Sequence, residues 1–149
     1  METEVTVETL LNTKGRTVWS VAPDATVFAA VQEMAARNVG SLLVMEGSRL
    51  VGIVSERDYA RKIVLHGKNS RTTPVSEILT PAVHHVTPHS TLGECMALMT
   101  DKRIRHLPVL DQGAVVGVIS IGDLVNWIMR AQAATIDQLQ SYIAGGYAA

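Results

Sequence analysis

Hydrophobic and polar positions follow two different periods along this chain, and the same order of periods occurs twice. After Thr26, the apolar residues Val27, Ala30, Val31 and Met34 recur every three to four positions, which is the spacing of one helix face. A short run rich in β-branched residues precedes this helix, and two apolar strands joined by a glycine-containing turn follow it. The pattern therefore predicts strand, helix, two strands and helix in the first half, and again in the second half.

The two halves are a sequence repeat. Residues 18–63 align with residues 83–128 without a gap. Thr26 matches Thr91, and each is placed to begin a helix; Thr91 forms a capping box with Glu94, a pairing that Thr26 lacks. One such repeat is marginal alone, because its apolar sheet face needs a cover. We expect an α+β fold in which two β-α-β-β-α repeats pair with pseudo-two-fold symmetry and leave a cleft between them.

The segments outside the aligned repeats suggest how the chain is divided. The stretch after the first repeat is polar and bounded by glycine, as in a linker. In the final helix, Ile136, Leu139 and Ile143 fall on one side. We predict a first repeat with an N-terminal helix over residues 1–66, a linker and short helix over 67–80, a second repeat over 81–134, and a C-terminal helix and tail over 135–149.

Composition narrows the class of protein. The chain has 149 residues, of which 47% are hydrophobic and 18% charged, and this is typical of a globular protein. A net charge of −1 argues against a general nucleic-acid binder, and a single cysteine fits a reducing compartment. The acidic N-terminus does not resemble a signal peptide, and no apolar run reaches the ~20 residues of a membrane span. We expect a cytoplasmic protein without nucleic-acid or membrane partners.

The strongest chemical signal is the strand-to-helix junction of each repeat. Both junctions read Gly-x-x-Ser-x-x-Asp, at residues 52–58 and 117–123. A helix start attracts anions, a serine hydroxyl there can donate to a phosphate, and an aspartate one turn later can accept from ribose hydroxyls. Glycine lets a ligand approach the backbone closely. The same Ser-x-x-Asp spacing is also an ordinary helix cap, so both interpretations stay open on the sequence.

The doubled motif, together with Arg-His-Leu-Pro-Val at residues 105–109, resembles the cystathionine-β-synthase (CBS) domain family, whose tandem pairs are called Bateman modules. Residues 56–62 resemble its stand-alone bacterial and organellar members. The resemblance implies a cleft that binds an adenine nucleotide, AMP foremost, with ATP, ADP or NAD possible. It also implies that the serine and aspartate of each junction contact phosphate and ribose, and that the protein is a homodimer.

The two implied sites are unequal in charge. The first repeat carries Arg57, Arg61 and Lys62 where the second carries uncharged residues. In a two-fold pair these cations lie near the motif of the second repeat. We therefore expect the main site there, with Asp123 on the ribose and Ser120 near the phosphate.

Further groups are expected to complete this site. Arg105 or the first-repeat arginines would neutralise the phosphate, and backbone groups around Val83 and His85 would read the adenine edge. Asp58 either holds a second nucleotide or faces an empty pocket. The full predicted set of nucleotide-binding residues is Ser55, Arg57, Asp58, Arg61, Lys62, Val83, His85, Arg105, His106, Pro108, Ser120 and Asp123.

A metal site is the first alternative. His84, His85, His89 and His106 could gather with Cys95, but adjacent strand residues point to opposite faces, and the cysteine falls on the apolar side of its helix. The chain contains no nucleophile elbow, CxxC pair, His-Glu-x-x-His, phosphate-binding loop or dinucleotide fingerprint. We therefore predict neither a catalytic cofactor nor an enzyme.

Three functions remain open. The first is a nucleotide sensor that acts through an unidentified effector protein or through its own oligomer. The others are a metal-dependent hydrolase using the histidines, and a structural dimerisation module with a vestigial pocket. A homodimer would bury apolar helix faces around Val31, Met34, Leu98, Ile128 and Met129.

Overall fold

The fold is mixed α+β and contains the two repeats that the sequence predicts. The structure is a computed structural model that describes residues 4–82 and 84–146. In chain order its elements are α1 (Val7–Lys14), β1 (Ser20–Val21), α2 (Val27–Arg37), β2 (Ser41–Glu46), β3 (Arg49–Ser55), α3 (Glu56–Asp58), a π-helical turn (Tyr59–Val64), a 3-10 turn (Val75–Glu77), β4 (Thr80–Pro81), α4 (Leu92–Lys102), β5 (His106–Asp111), β6 (Ala114–Ser120) and α5 (Ile121–Gly146).

The first repeat builds a four-stranded sheet in the order β1-β2-β3-β4. Strand β1 is parallel to β2, whereas β2–β3 and β3–β4 pair antiparallel. Helix α2 begins at Thr26, whose hydroxyl accepts a hydrogen bond from the Ala29 amide. It ends at Asn38, which adopts the left-handed conformation that asparagine tolerates at helix ends.

The second repeat has the same order with a shorter first strand. Helix α4 begins at Thr91, and Thr91 and Glu94 form the predicted capping box. Strands β5 and β6 form a two-stranded hairpin. The strand expected before α4 is reduced to a parallel bridge between Val86 and Val109, while Val83 lies outside the described residues.

The chain separates into two compact units. Unit 1 contains residues 1–15, 87–107 and 119–149, and unit 2 contains residues 16–86 and 108–118. Each unit has its own aliphatic core. Unit 1 buries Val7, Leu10, Leu11, Leu92, Cys95, Met99, Leu107, Ile119 and Leu124, and unit 2 buries Val27, Ala30, Met34, Leu42, Val44, Val54, Ile63, Val75 and Ile78.

The apolar helix positions that suggested a homodimer differ in exposure. Met34 lies in the core of unit 2 and cannot contribute to a surface, so its place in that set was wrong. Val31, Leu98 and Ile128 are half-buried, and Met129 is 63% exposed. Cys95 is a core residue as predicted, and burial raises the pKa of its thiol to about 11. Within the described residues, no helix is both long and apolar enough to cross a membrane.

Candidate functional site

The first Ser-x-x-Asp junction lies in unit 2, where β3 meets α3. The Ser55 hydroxyl accepts from the Asp58 amide at 3.2 Å. One carboxylate oxygen of Asp58, Oδ2, accepts from both the Ser55 amide and the Ser55 hydroxyl at 3.0 Å. Ser55 and Asp58 therefore form a reciprocal capping box, so at this junction the motif acts as a helix cap.

The second oxygen of Asp58 is also occupied. Oδ1 accepts from the Thr80 hydroxyl at 3.1 Å and lies 3.1 Å from Lys62 Nζ. Lys62 Nζ in turn donates to the Ile78 carbonyl at 2.9 Å. The Asp58 side chain is only 11% exposed. Both oxygens are thus engaged by the chain itself, and this carboxylate joins α3 to the segment around β4.

The glycine of this junction has a structural explanation as well. A Cβ on Gly52 would lie 2.5 Å from the Thr80 carbonyl oxygen, closer than atoms can approach. Gly52 pairs with Pro81 where β3 meets β4. The close approach that we expected of a ligand is made at Gly52 by the β4 backbone.

The second junction lies in unit 1, where β6 leads directly into the 26-residue helix α5. The Asp123 amide donates to the Ser120 hydroxyl at 3.1 Å, and the Ser120 amide donates to Asp123 Oδ2 at 2.8 Å. The Ile121 amide donates to the Arg105 carbonyl at 2.9 Å. Ser120, Asp123 and the Arg105 backbone therefore lie close together at the start of α5.

The remaining contact of Asp123 differs from those of Asp58. Lys14 Nζ, at the end of α1, donates to Asp123 Oδ2 at 2.6 Å. The Lys14 and Asp123 side chains are 33% and 25% exposed. Among the described residues, Asp123 Oδ1 has no hydrogen-bond partner. This carboxylate thus keeps one oxygen without a partner in the described chain, and its other oxygen is paired with a cation.

Sequence reasoning missed Lys14. The residue is separated from Asp123 by 109 positions and lies outside the aligned repeat. The available signal was a lysine in the last turn of the predicted N-terminal helix, where a cation stabilises the helix end and is commonly solvent-exposed. That signal does not identify a partner.

His106 completes a charged cluster in unit 1. The residue begins β5 and is half-buried. Burial lowers the pKa of its imidazole; the nearby Asp123 carboxylate acts in the opposite direction, while the positive charges of Lys14 and Arg105 reinforce the decrease. The predicted residues Arg105, His106, Ser120 and Asp123 therefore belong to one electrostatic environment, together with Lys14.

The lowered pKa of His106 predicts a pH dependence of stability. As the pH falls through 6.5, the ordinary value, the unfolded chain gains a proton on this residue before the folded chain does. The contribution of His106 to the free energy of unfolding therefore decreases from pH 7.5 to pH 5. We expect His106→Gln to show a smaller loss of stability over this interval in urea titrations. Equal losses in the two proteins would contradict this assignment.

The other predicted residues belong to unit 2. Arg57, Arg61 and His85 are exposed, whereas Pro108 is buried and its carbonyl accepts from the Val86 amide at 3.1 Å. Val83 lies outside the described residues. The expected action of Arg57 and Arg61 on a phosphate at the Asp123 junction stays a prediction.

The aligned helices differ at one informative position. Lys62, which contacts Asp58, aligns with Trp127 in the second repeat. The Trp127 indole N–H is buried and has no hydrogen-bond partner in the part of the chain that the structure describes. The second junction therefore has no cation on its own helix one turn after the aspartate, and its aspartate pairs with Lys14 of α1 instead.

A metal site was the other chemistry considered for the histidines. Within residues 4–82 and 84–146, no group of three or more His, Cys, Asp or Glu side chains has the arrangement of a metal site.

Comparison with known proteins identifies both repeats. The model of the CBS domain matches residues 14–65 and 75–130. The CBS domain-containing protein CBSX3, mitochondrial, of Arabidopsis thaliana is 38% identical over 152 residues, covering 95% of this chain and 73% of that protein. The CBS domain-containing protein YhcV of Bacillus subtilis is 35% identical over 107 residues, covering 72% of this chain and 76% of that protein.

Solved structures give the same result. A putative signal-transduction protein with CBS domains from Burkholderia ambifaria is 48% identical, with a TM-score of 0.84, and the match covers 86% of this chain and 96% of that one. A CBS domain protein from Pyrobaculum aerophilum, solved in complex with AMP, is 28% identical, with a TM-score of 0.72; the match covers 80% of this chain and 89% of that one.

Proposed function

The chain belongs to the CBS domain family, and we propose that it is a non-catalytic regulatory module that binds one adenine nucleotide, AMP foremost, at the Ser120–Asp123 junction. The observation that carries this proposal is the state of the Asp123 carboxylate. One of its oxygens, Oδ1, has no hydrogen-bond partner among the described residues, and the group is held in place by the Ser120 amide and by Lys14. A carboxylate fixed in this way can accept hydrogen bonds from the ribose hydroxyls of a nucleotide.

The surroundings of Asp123 suit the rest of a nucleoside monophosphate. The positive end of the α5 helix dipole lies at this junction and favours a phosphate. Lys14 and Arg105 bring positive charge to the same cluster. The Ser120 hydroxyl, placed at this helix start, is the predicted phosphate donor. ATP, ADP or NAD could use the same ribose and phosphate contacts.

The contrast with Asp58 favours one nucleotide per chain. A ribose at Asp58 would have to displace contacts from Ser55, Thr80 or Lys62, and each displaced donor would need a new partner. At Asp123 the free oxygen requires no such displacement. We therefore assign Asp58 a structural role and expect a single occupied site.

The AMP complex of the Pyrobaculum aerophilum relative supports the choice of ligand. A bound nucleotide could act as a signal through Lys14, because the Lys14–Asp123 ion pair ties α1 to the start of α5 within unit 1. A ligand that changes this ion pair shifts the equilibrium between two arrangements of α1. An effector protein would bind differently to the two arrangements. We also propose that the protein is cytoplasmic, as inferred from the sequence.

Titration calorimetry of the full chain with AMP tests the function. We expect saturable binding of one AMP per chain. We expect no measurable binding of GMP at the same concentrations, because the predicted contacts to the base recognise the hydrogen-bonding groups on the edge of adenine, which guanine lacks. The same samples, incubated with ATP or NAD and analysed for products, are expected to contain only the starting nucleotide. Absence of binding by AMP, ADP, ATP and NAD would indicate a structural module with a vestigial pocket. Turnover would indicate a hydrolase, and either outcome would overturn the proposal.

A further inference from the structure

One helix position beside each motif aspartate carries a different side chain in the two repeats. The residue four positions after Asp58 is Lys62, and the residue four positions after Asp123 is Trp127. Side chains four apart are neighbours on one face of a helix, so each of these residues lies beside its own aspartate. We call Lys62 and Trp127 the flanking positions. Their difference shows what this place on the helix does to the carboxylate.

At the first flanking position a lysine engages the aspartate. Lys62 Nζ lies 3.1 Å from Asp58 Oδ1 and donates to the Ile78 carbonyl at 2.9 Å. The flexible stem of lysine allows one ammonium to serve both acceptors. Together with the Thr80 hydroxyl, the ammonium occupies the Asp58 oxygen that the helix cap does not use. The carboxylate therefore has no oxygen left for a ligand.

At the second flanking position a tryptophan cannot take this part. The indole carries a single N–H donor and no charge. Trp127 Nε1 is buried without a hydrogen-bond partner in the described chain, and Asp123 Oδ1 has no partner there either. Two unfilled hydrogen-bonding groups thus occur on successive turns of α5. Their counterparts in the first repeat, Lys62 Nζ and Asp58 Oδ1, are paired with each other.

The segments that pack on the two repeats begin in the same way. Residues 5–8 bond to the start of α4 as residues 73–76 bond to the start of α2. The Val7 amide donates to the Ser90 carbonyl at 2.8 Å, and Val75 makes the corresponding bond in the first repeat, also at 2.8 Å. The two repeats are therefore equivalent up to this point, and the later difference between their aspartates is local.

The two segments diverge after these contacts. The second enters β4, which brings the Thr80 hydroxyl to Asp58. The first continues as α1 to Lys14. Among residues 4–82 and 84–146, nothing equivalent to Thr80 reaches Asp123 Oδ1, and nothing equivalent to the Ile78 carbonyl accepts from the tryptophan. The packing segment and the flanking position therefore differ together between the two junctions.

We propose that the flanking position determines which junction can take a ligand, because lysine closes Asp58 whereas Trp127 leaves Asp123 Oδ1 open. This inference rests on the proposed nucleotide site and adds the residue that distinguishes it from its counterpart. An acidic residue followed by lysine four positions later is a favourable helix pair, so lysine at this place reaches the carboxylate from the same helix. Tryptophan brings no charge, and of the two Asp123 oxygens Lys14 pairs with Oδ2. Trp127 is therefore a positioning residue that acts through Asp123.

Titration calorimetry of full-chain variants with AMP tests the role of Trp127. Trp127→Lys should bind AMP about 10-fold more weakly than Trp127→Met, because the nucleotide must displace the new ammonium from the carboxylate. Met129→Lys adds the same charge at an exposed position on another face of α5 and is the matched control, which should bind AMP like the wild type. Equal affinities of Trp127→Lys and Trp127→Met would overturn the proposal.

A thermal measurement tests the same contact without a nucleotide. If the ammonium introduced by Trp127→Lys reaches Asp123, adding Asp123→Asn should lower the unfolding temperature of Trp127→Lys more than that of Trp127→Met. The asparagine keeps the shape of the side chain and removes its charge. Equal shifts in the two variants would overturn the proposal. A wild type that binds no AMP would reject the nucleotide site, and this comparison would still decide whether the flanking position controls the carboxylate.

The reverse change should open the first junction. Lys62→Met combined with Thr80→Val removes both contacts to Asp58 Oδ1 and leaves the contacts of Oδ2 to Ser55 in place. We expect calorimetry to show two AMP per chain for this double variant. Thr80→Val alone keeps the lysine and should bind one. A folded double variant that still binds a single AMP would overturn the assignment of Lys62 as the closing residue.

Discussion

Asp123→Ala is expected to remove most of the stabilisation that AMP gives the folded protein. At roughly 100 times its dissociation constant, a ligand stabilises the folded state by about 2.7 kcal/mol. Loss of the hydrogen bonds from two ribose hydroxyls to a carboxylate, each worth roughly 1.5–3 kcal/mol, should weaken binding about 100-fold or more. The same AMP concentration would then stabilise the variant by only about 0.4 kcal/mol. Thermal unfolding with and without AMP measures both values.

The variant itself should remain folded. Alanine at this position removes the carboxylate that accepts from the Ser120 amide, which is expected to cost about 1 kcal/mol. The matched control is Glu94→Ala, because Glu94 accepts from the Thr91 amide in the equivalent position of α4. Both variants lose a helix-start contact, but only Asp123→Ala should lose the response to AMP. An unchanged AMP affinity in Asp123→Ala would reject the site assignment.

Asp58→Ala should have the opposite profile, a large loss of stability with little change in AMP affinity. Asp58 is buried, and its carboxylate accepts from the Ser55 amide and from the Ser55 and Thr80 hydroxyls. Alanine leaves these donors without an acceptor. The ion pair with Lys62 adds less, because the lysine side chain is 42% exposed. We expect a loss of about 3 kcal/mol in the free energy of unfolding, measured by urea titration at pH 7.

Two comparisons locate the origin of this loss. Glu94→Ala removes a capping contact at a partly exposed helix start and is expected to cost about 1 kcal/mol. Thr80→Val removes only the hydroxyl that donates to Asp58 and should fall between the two. Equal losses for Asp58→Ala and Glu94→Ala would mean that Asp58 is an ordinary cap and that its contact with Thr80 contributes nothing.

The order of elements was predictable from the sequence because its signals are local. The alternation of strand and helix periods, the threonines before α2 and α4, and the capping box at Thr91 all act within a few residues. The π-helical turn at Tyr59–Val64 was not predicted. It carries the same apolar spacing as an α-helix, and it places Lys62 where its ammonium reaches both Asp58 and the Ile78 carbonyl.

The candidate site was predictable only in part. The two Ser-x-x-Asp junctions are visible in the sequence, and their duplication identifies them as equivalent positions. The sequence does not show how the two junctions differ. The difference depends on Thr80, which donates to Asp58, and on Lys14, which pairs with one oxygen of Asp123 while the other has no partner among the described residues. Both residues reach their carboxylates through tertiary packing, from outside the motif. The sequence pointed to the Asp123 junction for a different reason, because the cations Arg57 and Arg61 were expected to lie near it.

A crystal structure of the full chain grown with AMP measures the central claim most directly. The nucleotide is expected at the start of α5, with its ribose hydroxyls on Asp123 and its phosphate near the Ser120 hydroxyl. Only one AMP per chain is expected, with the contacts of Asp58 to Ser55 and Thr80 unchanged. AMP found at Asp58 instead, or at a place remote from both aspartates, would contradict the assignment.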